Sequence, residues 1–486
     1  MGLSRSVAWN VAGICLPLLL GVAIVPTIIH RLGVERFGCL SLIWTIIGYF
    51  SVFDLGLSRT LTKLIADRRA AGKEEEIPAL VVTAMIVVLI SGLTIAGFVI
   101  VFAKWLTTVL FSTAAGLQQE VYSATIWLAI GLPFVLLATA VTGLLEGFER
   151  FAELNLVRVP FGAMIYLVPL VALPFGGGLG LITALTVCVR LANLYALASL
   201  ARRIVPAVPG SGAGFRRELL RPLFNYGGWL TVSNVIGPVM VYFDRFFIAV
   251  ILGSTAVAYY TVPYDVLTRL WVVPTAVQGV LFPAFALMRG TGSRRIVDVF
   301  ARSMWATLLV MLPLFAVGIL LPFEALRLWV GAGFAAQSTN VAQILMVGVL
   351  VNALARYPFA LVQSFGYANW AAMVHMLELP LYALVLVWSL YGLGISGAAY
   401  AWTARICIDA VVFLALGARL EPRLKRICAR AAGGVLVICV LTAAVVRLHL
   451  TLTVRLAAVV VLCGLCGVLL VRDMRGARSL SAVSSG

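Results

Sequence analysis

The sequence predicts an all-α polytopic membrane protein. Of its 486 residues, 62% are hydrophobic and only 11% are charged, and the mean hydropathy is +1.08. Soluble domains carry only about 45–50% apolar residues. Long runs such as residues 77–103 are apolar on every face and lack the alternation that is typical of membrane β-strands. Helices that satisfy their own backbone hydrogen bonds are therefore the predicted membrane-spanning elements.

Apolar runs of about 20 residues separated by polar turns predict about fourteen transmembrane helices. The predicted helices are 7–29, 38–65, 77–103, 121–145, 155–174, 179–200, 224–252, 256–287, 299–321, 339–363, 370–390, 394–417, 431–447 and 453–471. The first run is too long for the apolar region of a signal peptide, so we expect it to be retained.

The net charge of +17 follows the rule that cytoplasmic loops of membrane proteins are rich in Lys and Arg. If the N-terminus is cytoplasmic, the basic stretches at 68–73, 202–221, 289–295, 419–430 and 472–478 all fall on the cytoplasmic side. Fourteen helices return the C-terminus to that side. The sequence therefore predicts two cytoplasmic termini, and nucleic-acid binding is not needed to explain the charge.

A weak internal repeat divides the chain. LLEGFERFAELNLVR from Leu144 aligns with LVQSFGYANWAAMVH from Leu361, and two further matches in the same order have nearly the same offset. An even number of helices separates the copies, which indicates parallel repeats. We predict an N-terminal six-helix half at 1–200, a Pro/Gly-rich cytoplasmic linker at 201–222 and a second six-helix half at 223–418. A basic loop, helices 13 and 14 and a cytoplasmic tail follow at 419–486.

Four charges interrupt the predicted helical hairpin at 241–285. Asp244 and Asp265 both fall about 15 Å from its turn, near the centre of a membrane about 30 Å thick, with Arg245 beside the first and Arg269 one helical turn beyond the second. Each isolated charge at that depth costs at least about 2.5–3.5 kcal/mol, so such groups normally face a bundle interior or a watery cavity. The hairpin therefore predicts a polar chamber.

Other charges are predicted to lie inside the membrane as well. Guanidinium groups bind phosphate through paired hydrogen bonds, and embedded carboxylates can carry protons. This chemistry suits an anionic substrate exchanged against an ion. The predicted substrate-binding cations are Arg190, Arg245, Arg269, Arg356 and Arg405, and the predicted ion-coupling or structural acids are Asp54, Asp244, Asp265, Glu378 and Asp409.

Structural ion pairs are the alternative explanation for these charges. Arg405 with Asp409, and Asp265 with Arg269, have the (i, i+4) spacing that permits a pair on one helix. Arg190 has no acid within one helical turn, which leaves pairing across helices or a ligand role open.

Enzyme chemistry finds no support in the motifs. The three histidines and eight cysteines lack metal-ligand spacing, and no nucleotide-binding or hydrolase motif occurs. We therefore predict no catalytic residue, metal or cofactor, and transport that is not driven by ATP.

Three stretches resemble a known family. LGVERFGCLSLIWTIIGYFSVFDLGLSRTLTKLIA from Leu32, YFDRFFIAVILGSTAVAYYTVPYDV from Tyr242 and LFPAF from Leu281 are similar to bacterial polysaccharide flippases. These belong to the multidrug/oligosaccharidyl-lipid/polysaccharide exporter superfamily. The resemblance implies two six-helix lobes around a central cavity that opens alternately to each side of the bacterial inner membrane.

The cargo implied by the resemblance is an undecaprenyl-diphosphate-linked oligosaccharide, moved to the periplasmic leaflet with coupling to an ion gradient. Membrane lipids, a polysaccharide polymerase and the chain-length machinery are the implied partners. A multidrug exporter or an exporter of the peptidoglycan precursor lipid II is the nearest alternative. The first helix lacks the charges expected of those two relatives. A membrane-embedded polymerase is a further alternative, although the loops are short.

Overall fold

The computed structural model describes residues 19–52, 56–110, 115–204, 214–289, 295–448 and 450–483. Every regular element within these ranges is an α-helix or a short 3₁₀ turn. The chain forms two compact units, Met1–Ala258 and Tyr259–Gly486. The predicted half boundaries at 200 and 223 stay a prediction.

Within the described residues, nine helices and the start of a tenth belong to the first unit. They are α1 (Leu19–Leu32), α2 (Val34–Val52), α3 (Leu57–Ala70), α4 (Ile77–Val101), α5 (Ala103–Leu110), α6 (Gln118–Gly147), α7 (Phe151–Ala172), α8 (Leu179–Ile204) and α9 (Leu220–Leu252). Helix α10 (Ser254–Thr268) begins in this unit and ends in the second.

The second unit continues with seven further described helices. They are α11 (Val272–Met288), α12 (Arg295–Leu320), α13 (Pro322–Trp329), α14 (Ala332–Ser364), α15 (Ala368–Leu420), α16 (Lys425–Arg447) and α17 (Leu452–Val483). Helix α15 consists of two helical segments that meet at Gly394, whose φ of 59° and ψ of −142° are not helical. The predicted helices 370–390 and 394–417 correspond to these two segments.

Ten helical stretches in the described ranges are long and apolar enough to cross a membrane. Together with shorter apolar helices, they confirm the all-α polytopic prediction. Two predicted helices are interrupted. The run 38–65 divides into α2 and α3, and Gly56 before α3 has a left-handed φ of 66°. The run 256–287 contains a 3₁₀ turn, Arg269–Trp271, because Pro274 lacks a backbone N–H and its ring crowds the preceding helical turn.

The internal repeat is confirmed by the backbone. Helices α6 and α7 are separated by a turn at Glu149 (φ 59°), and the corresponding turn between α14 and α15 lies at Gly366 (φ 89°). Gly33, between α1 and α2, and Gly253, between α9 and α10, have φ values of 85° and 87°. The short helices α5 and α13, which were not predicted, occupy corresponding places after α4 and α12.

Close helix packing in the first unit depends on small residues. On α6, Gly143 approaches α3 so closely that an added Cβ would lie 2.5 Å from the backbone oxygen of Ser58. Ser58 Oγ donates to the Thr139 carbonyl at 3.0 Å, and Thr62 Oγ1 donates to the Gly143 carbonyl at 2.8 Å. Small residues and hydroxyl hydrogen bonds are the usual means of joining helices in lipid, where hydrophobic burial gives little advantage.

Each unit also has a bidentate ion pair between helices. In the first, Arg36 Nη2 and Glu120 Oε1 are 2.8 Å apart, and Glu120 also accepts from the backbone N–H of Leu179 at 3.3 Å. In the second, Arg455 Nη2 lies 2.7 Å from Glu324 Oε1. These pairs fix α2, α6 and α8 in one unit and α13 and α17 in the other.

Candidate functional site

The first candidate site is a cavity between α6, α7 and α8 of the first unit. Its volume is about 220 Å³. Apolar residues form part of the wall, and Thr139, Thr142, Arg158, Arg190 and Asn193 supply its polar groups. Arg190 and Asn193 are three residues apart on α8 and therefore lie on one helix face. The cavity thus brings two guanidinium groups, one amide and two hydroxyls together.

Arg190 is the group in this cavity that is least satisfied by the protein. Its Nε atom is buried and makes no hydrogen bond, and within the described ranges no carboxylate lies at ion-pair distance from its guanidinium group. Arg158 differs, because its Nη2 lies 3.6 Å from Glu146 Oε1 and more than half of its side chain is exposed. Arg190 therefore retains donors for a ligand, and an anion with several oxygen atoms matches them.

The pair Asp244 and Arg245 on α9 has mostly internal partners. Asp244 is fully buried and Arg245 is 5% exposed. Asp244 Oδ1 accepts from the backbone N–H of Arg245 at 2.8 Å, while Arg245 Nη1 donates to Thr45 Oγ1 of α2 at 2.9 Å. The Arg245 guanidinium also lies 5.5 Å from the ring centre of Tyr242. These contacts favour a role in joining α2 and α9.

The remaining hairpin charges have a different setting. Asp265, on α10, and Arg269, in the 3₁₀ turn after it, are both exposed within the second unit. Helix α10 ends at Thr268 and Arg269 begins the next element, and the pairing of Asp265 with Arg269 stays a prediction. Asp54 lies outside the described residues. The polar chamber inferred from the hairpin stays a prediction.

Arg356 on α14 is held against an aromatic pair. Its guanidinium carbon lies 5.2 Å from the ring centre of Trp271, and its Nη1 donates to Gln278 Oε1 at 3.4 Å. Trp271 stacks on buried Trp402, with ring centres 6.1 Å apart. Arg356 therefore has cation–π and amide partners, and its Nε remains buried without a hydrogen bond.

The second candidate site joins the two segments of α15. His375, Glu378 and Asp409 each direct one donor atom so that all three atoms lie within 4.8 Å of one another. His375 Nε2 is 3.5 Å from Asp409 Oδ1. Arg405 is on the same segment as Asp409, and its guanidinium lies 5.4 Å from the ring centre of Tyr382. The predicted acids Glu378 and Asp409 are thus brought together.

Sequence reasoning missed Arg158, Asn193 and His375. A signal was present for two of them, because Asn193 follows Arg190 by three residues and His375 precedes Glu378 by three, which places each pair on one helix face. The position of Arg158 beside Arg190 depends on the packing of α7 against α8, which no local spacing encodes.

Comparison with known proteins identifies the family. The family described as polysaccharide biosynthesis protein matches residues 3–288, which is more than half of the chain. The chain belongs to this family. One relative of this chain is the "Putative O-antigen transporter" of Shigella flexneri, which is 29% identical over 422 residues, or 86% of this chain and 99% of the relative.

Solved transporter structures share the fold of this chain. The lipid II flippase MurJ in an inward closed conformation superposes with a TM-score of 0.71 at 10% identity, covering 96% of this chain and 99% of MurJ. An inward-facing multidrug resistance MATE family transporter of the MOP superfamily gives 0.70 at 16% identity, covering 86% and 99%. At these identities the likeness is one of fold, and it confirms the predicted fold class.

Proposed function

We propose that this protein is a flippase that moves undecaprenyl-diphosphate-linked oligosaccharide repeat units across the bacterial inner membrane for surface polysaccharide synthesis. The observation that carries the proposal is the Arg190 cavity in a chain of the polysaccharide biosynthesis family. The O-antigen transporter relative and the shared fold with a lipid II flippase support the choice of a lipid-linked glycan.

The diphosphate is the part of this substrate that the cavity suits. Moving it through the membrane removes its hydration, and charge-assisted hydrogen bonds of about 1.5–3 kcal/mol each offset part of that cost. Arg190 offers a planar guanidinium fork, and Asn193 and two threonines can orient the remaining oxygen atoms. Arg269, Arg356 and Arg405 belong to the proposal as further cations along the path, whereas the contacts of Arg245 with α2 favour a structural role for it.

The proposed cycle is alternating access coupled to an ion, with both termini in the cytoplasm. Glu378 and Asp409, which lie together on α15 of the second unit, belong to the proposal as ion-coupling or structural acids. Asp54, Asp244 and Asp265 are retained as secondary candidates. The polysaccharide polymerase and the chain-length machinery are the proposed downstream partners, since translocated units must be joined after they cross.

The direct test is to locate lipid-linked oligosaccharide after the protein is depleted. Intact units that accumulate on the cytoplasmic leaflet are the expected result. Units that reach the periplasmic leaflet unpolymerised would instead favour a polymerase, and unchanged pools on both leaflets would favour drug export. Accumulated peptidoglycan precursor in place of oligosaccharide would favour a lipid II exporter.

Complementation of the depleted strain then tests the site. We expect that Arg190→Gln or Arg405→Gln fails to restore surface polysaccharide while the protein remains in the membrane. Arg202→Gln is the matched control for Arg190, because Arg202 is exposed near the end of the same helix and does not line the cavity. Normal surface glycan with both Arg190→Gln and Arg405→Gln would refute the assigned binding role.

A further inference from the structure

The second unit contains a cluster whose chemistry differs from that of the Arg190 cavity. His375 and Glu378 are on the first segment of α15, and Asp409 is on the second. They meet because Glu378 and Asp409 lie at nearly equal sequence distances on either side of the break at Gly394, so that the two antiparallel segments bring them to the same level. The cluster presents one imidazole and two carboxylates.

Three carboxylate oxygens of this cluster are buried without a hydrogen bond. Glu378 is only 9% exposed, and neither of its carboxylate oxygens makes a hydrogen bond. Asp409 Oδ1 is also buried without a hydrogen bond, although it faces His375. A buried carboxylate without donors is strongly unfavourable unless a cation or a proton joins it. The two acids are therefore stabilised by a metal cation, by a proton or by a cationic side chain.

The distances match those between ligands of one metal ion. Bonds of about 2.0–2.2 Å in a tetrahedral site separate neighbouring donor atoms by about 3.4 Å. The separation of His375 Nε2 and Asp409 Oδ1 is 3.5 Å. With all donors within 4.8 Å, movements of up to about 1.4 Å would bring them to the spacing of a three-ligand site. The geometry is thus close to a metal centre that keeps a fourth position for water.

Aromatic neighbours hold the imidazole in place. The ring of His375 stacks on Phe359, with centres 6.0 Å apart and planes at 18°, and meets the edge of Phe413 at 5.9 Å. Rigid orientation of a ligand reduces the entropy lost when a metal binds, and an apolar wall strengthens the attraction between the metal and its carboxylates.

We propose that His375, Glu378 and Asp409 bind one divalent transition-metal ion of the Co²⁺–Zn²⁺ class. Imidazole nitrogen combined with carboxylate oxygen is a ligand set suited to these ions, whereas Mg²⁺ and Ca²⁺ prefer oxygen ligands alone. The ion would neutralise the two acids and link the two segments of α15.

The competing arrangement is a metal-free ion network. A protonated His375 and the guanidinium of nearby Arg405 could together balance Glu378 and Asp409 without a metal. A proton shared by the two carboxylates is a second metal-free arrangement. One measurable property separates the proposal from both alternatives. Only the proposed site binds a stoichiometric amount of metal in a way that depends on His375.

The test uses the purified full chain in detergent after treatment with a chelator. Titration with Co²⁺ should produce the visible absorption bands of a tetrahedral centre and saturate at about one equivalent. Zn²⁺ should displace Co²⁺. Each of His375→Gln, Glu378→Gln and Asp409→Asn removes one metal ligand and should weaken metal binding at least about tenfold. Substitutions of residues that only hydrogen-bond to metal ligands already weaken metal binding by about that factor.

Two control variants separate this proposal from other effects. His30→Gln removes an exposed histidine of α1 and should leave Co²⁺ binding unchanged. Arg190→Gln should also leave it unchanged, so a failure of the flippase proposal would not be mistaken for a failure of this one. Helical content and elution volume, measured in chelator, establish that each variant is folded.

The proposal is overturned if the folded wild-type chain binds neither Co²⁺ nor Zn²⁺, or if His375→Gln binds them with full affinity. Thermal stabilisation by Na⁺ that Zn²⁺ does not compete away would also overturn it, because the acids would then serve a monovalent ion. The proposal is supported by one-equivalent binding that the three ligand variants weaken and the two controls preserve.

Discussion

Two substitutions of Arg190 can separate the contribution of its planar guanidinium shape to ligand binding from the contribution of its charge. Arg190→Lys keeps a positive charge but loses the planar fork that can hold two oxygen atoms of a phosphate at once. Arg190→Gln loses the charge as well. The Arg190 Nε is buried without a hydrogen bond and no carboxylate within the described ranges pairs with the guanidinium, so neither change breaks an existing ion pair. Effects on ligand affinity should therefore exceed effects on stability.

The expected losses follow from the number of hydrogen bonds removed. One charge-assisted hydrogen bond contributes about 1.5–3 kcal/mol, and each 1.4 kcal/mol changes the affinity about tenfold. Loss of one bond in Arg190→Lys should weaken binding about tenfold at the lower limit. Loss of two in Arg190→Gln should cost about 3 kcal/mol, which corresponds to about 150-fold. The lower limit of the hydrogen-bond energy applies because the Arg190 side chain is half-buried and the neighbouring Arg158 is exposed, so solvent screens both charges.

The assay is equilibrium binding of undecaprenyl diphosphate to the protein in lipid nanodiscs, with undecaprenol as the uncharged reference. The Arg190 variants should lose affinity for the diphosphate and keep that for the alcohol. Arg202→Gln controls for the overall charge of α8. The reasoning is wrong if Arg190→Gln binds the diphosphate as tightly as the wild type, or if both variants weaken the two lipids equally.

Two stability predictions test the packing of the first unit by thermal unfolding in detergent. Gly143→Ala should destabilise by about 1–3 kcal/mol, because its Cβ would lie 2.5 Å from the backbone of α3, whereas Gly97→Ala has open space and should not destabilise. Helix propensity favours Ala over Gly at both positions, so equal changes in stability from the two variants would show that close packing at Gly143 does not control the result. Thr45→Val should cost about 1–3 kcal/mol, since buried Arg245 loses a hydrogen-bond acceptor, while Thr94→Val at an exposed position should change stability by less than about 0.5 kcal/mol. Equal effects of the two threonine variants would contradict the structural role of Arg245.

Much of the fold could be predicted because lipid imposes simple rules on sequence. Long apolar runs must be helical, and turns between them must be polar, so hydropathy alone locates most spans. The repeat was also detectable because its turns preserve backbone conformation. Helix breaks were harder to predict. Gly56 and Pro274 lie within apolar stretches, and their effects on the helices depend on local conformation that hydropathy does not register.

The candidate sites were predicted less completely, for a physical reason. Depth in the membrane can be counted along a helix, so Arg190, Glu378 and Asp409 could be identified as embedded charges. The rotation of one helix against another cannot be counted in this way. It determines that Arg158 shares a cavity with Arg190 and that His375 faces Asp409. Spacing along single helices therefore predicted some residues of each site, and the positions of the others depend on packing between helices.

Corresponding positions in the repeat do not have corresponding surroundings. Arg158 and His375 each follow the first residue of their helix by the same number of residues, and the sequence repeat aligns Arg190 with Arg405. Arg190 lines a cavity whose polar side chains are two arginines, one amide and two hydroxyl groups. Arg405 lies near buried Glu378, and the repeat position of the first unit that corresponds to Glu378 has an apolar residue. The same pair of helices therefore has donors for an anion in one unit and unsatisfied acids in the other. Equal depth made the two arginines look equivalent in the sequence, but their neighbours determine which sign of charge each site can accept.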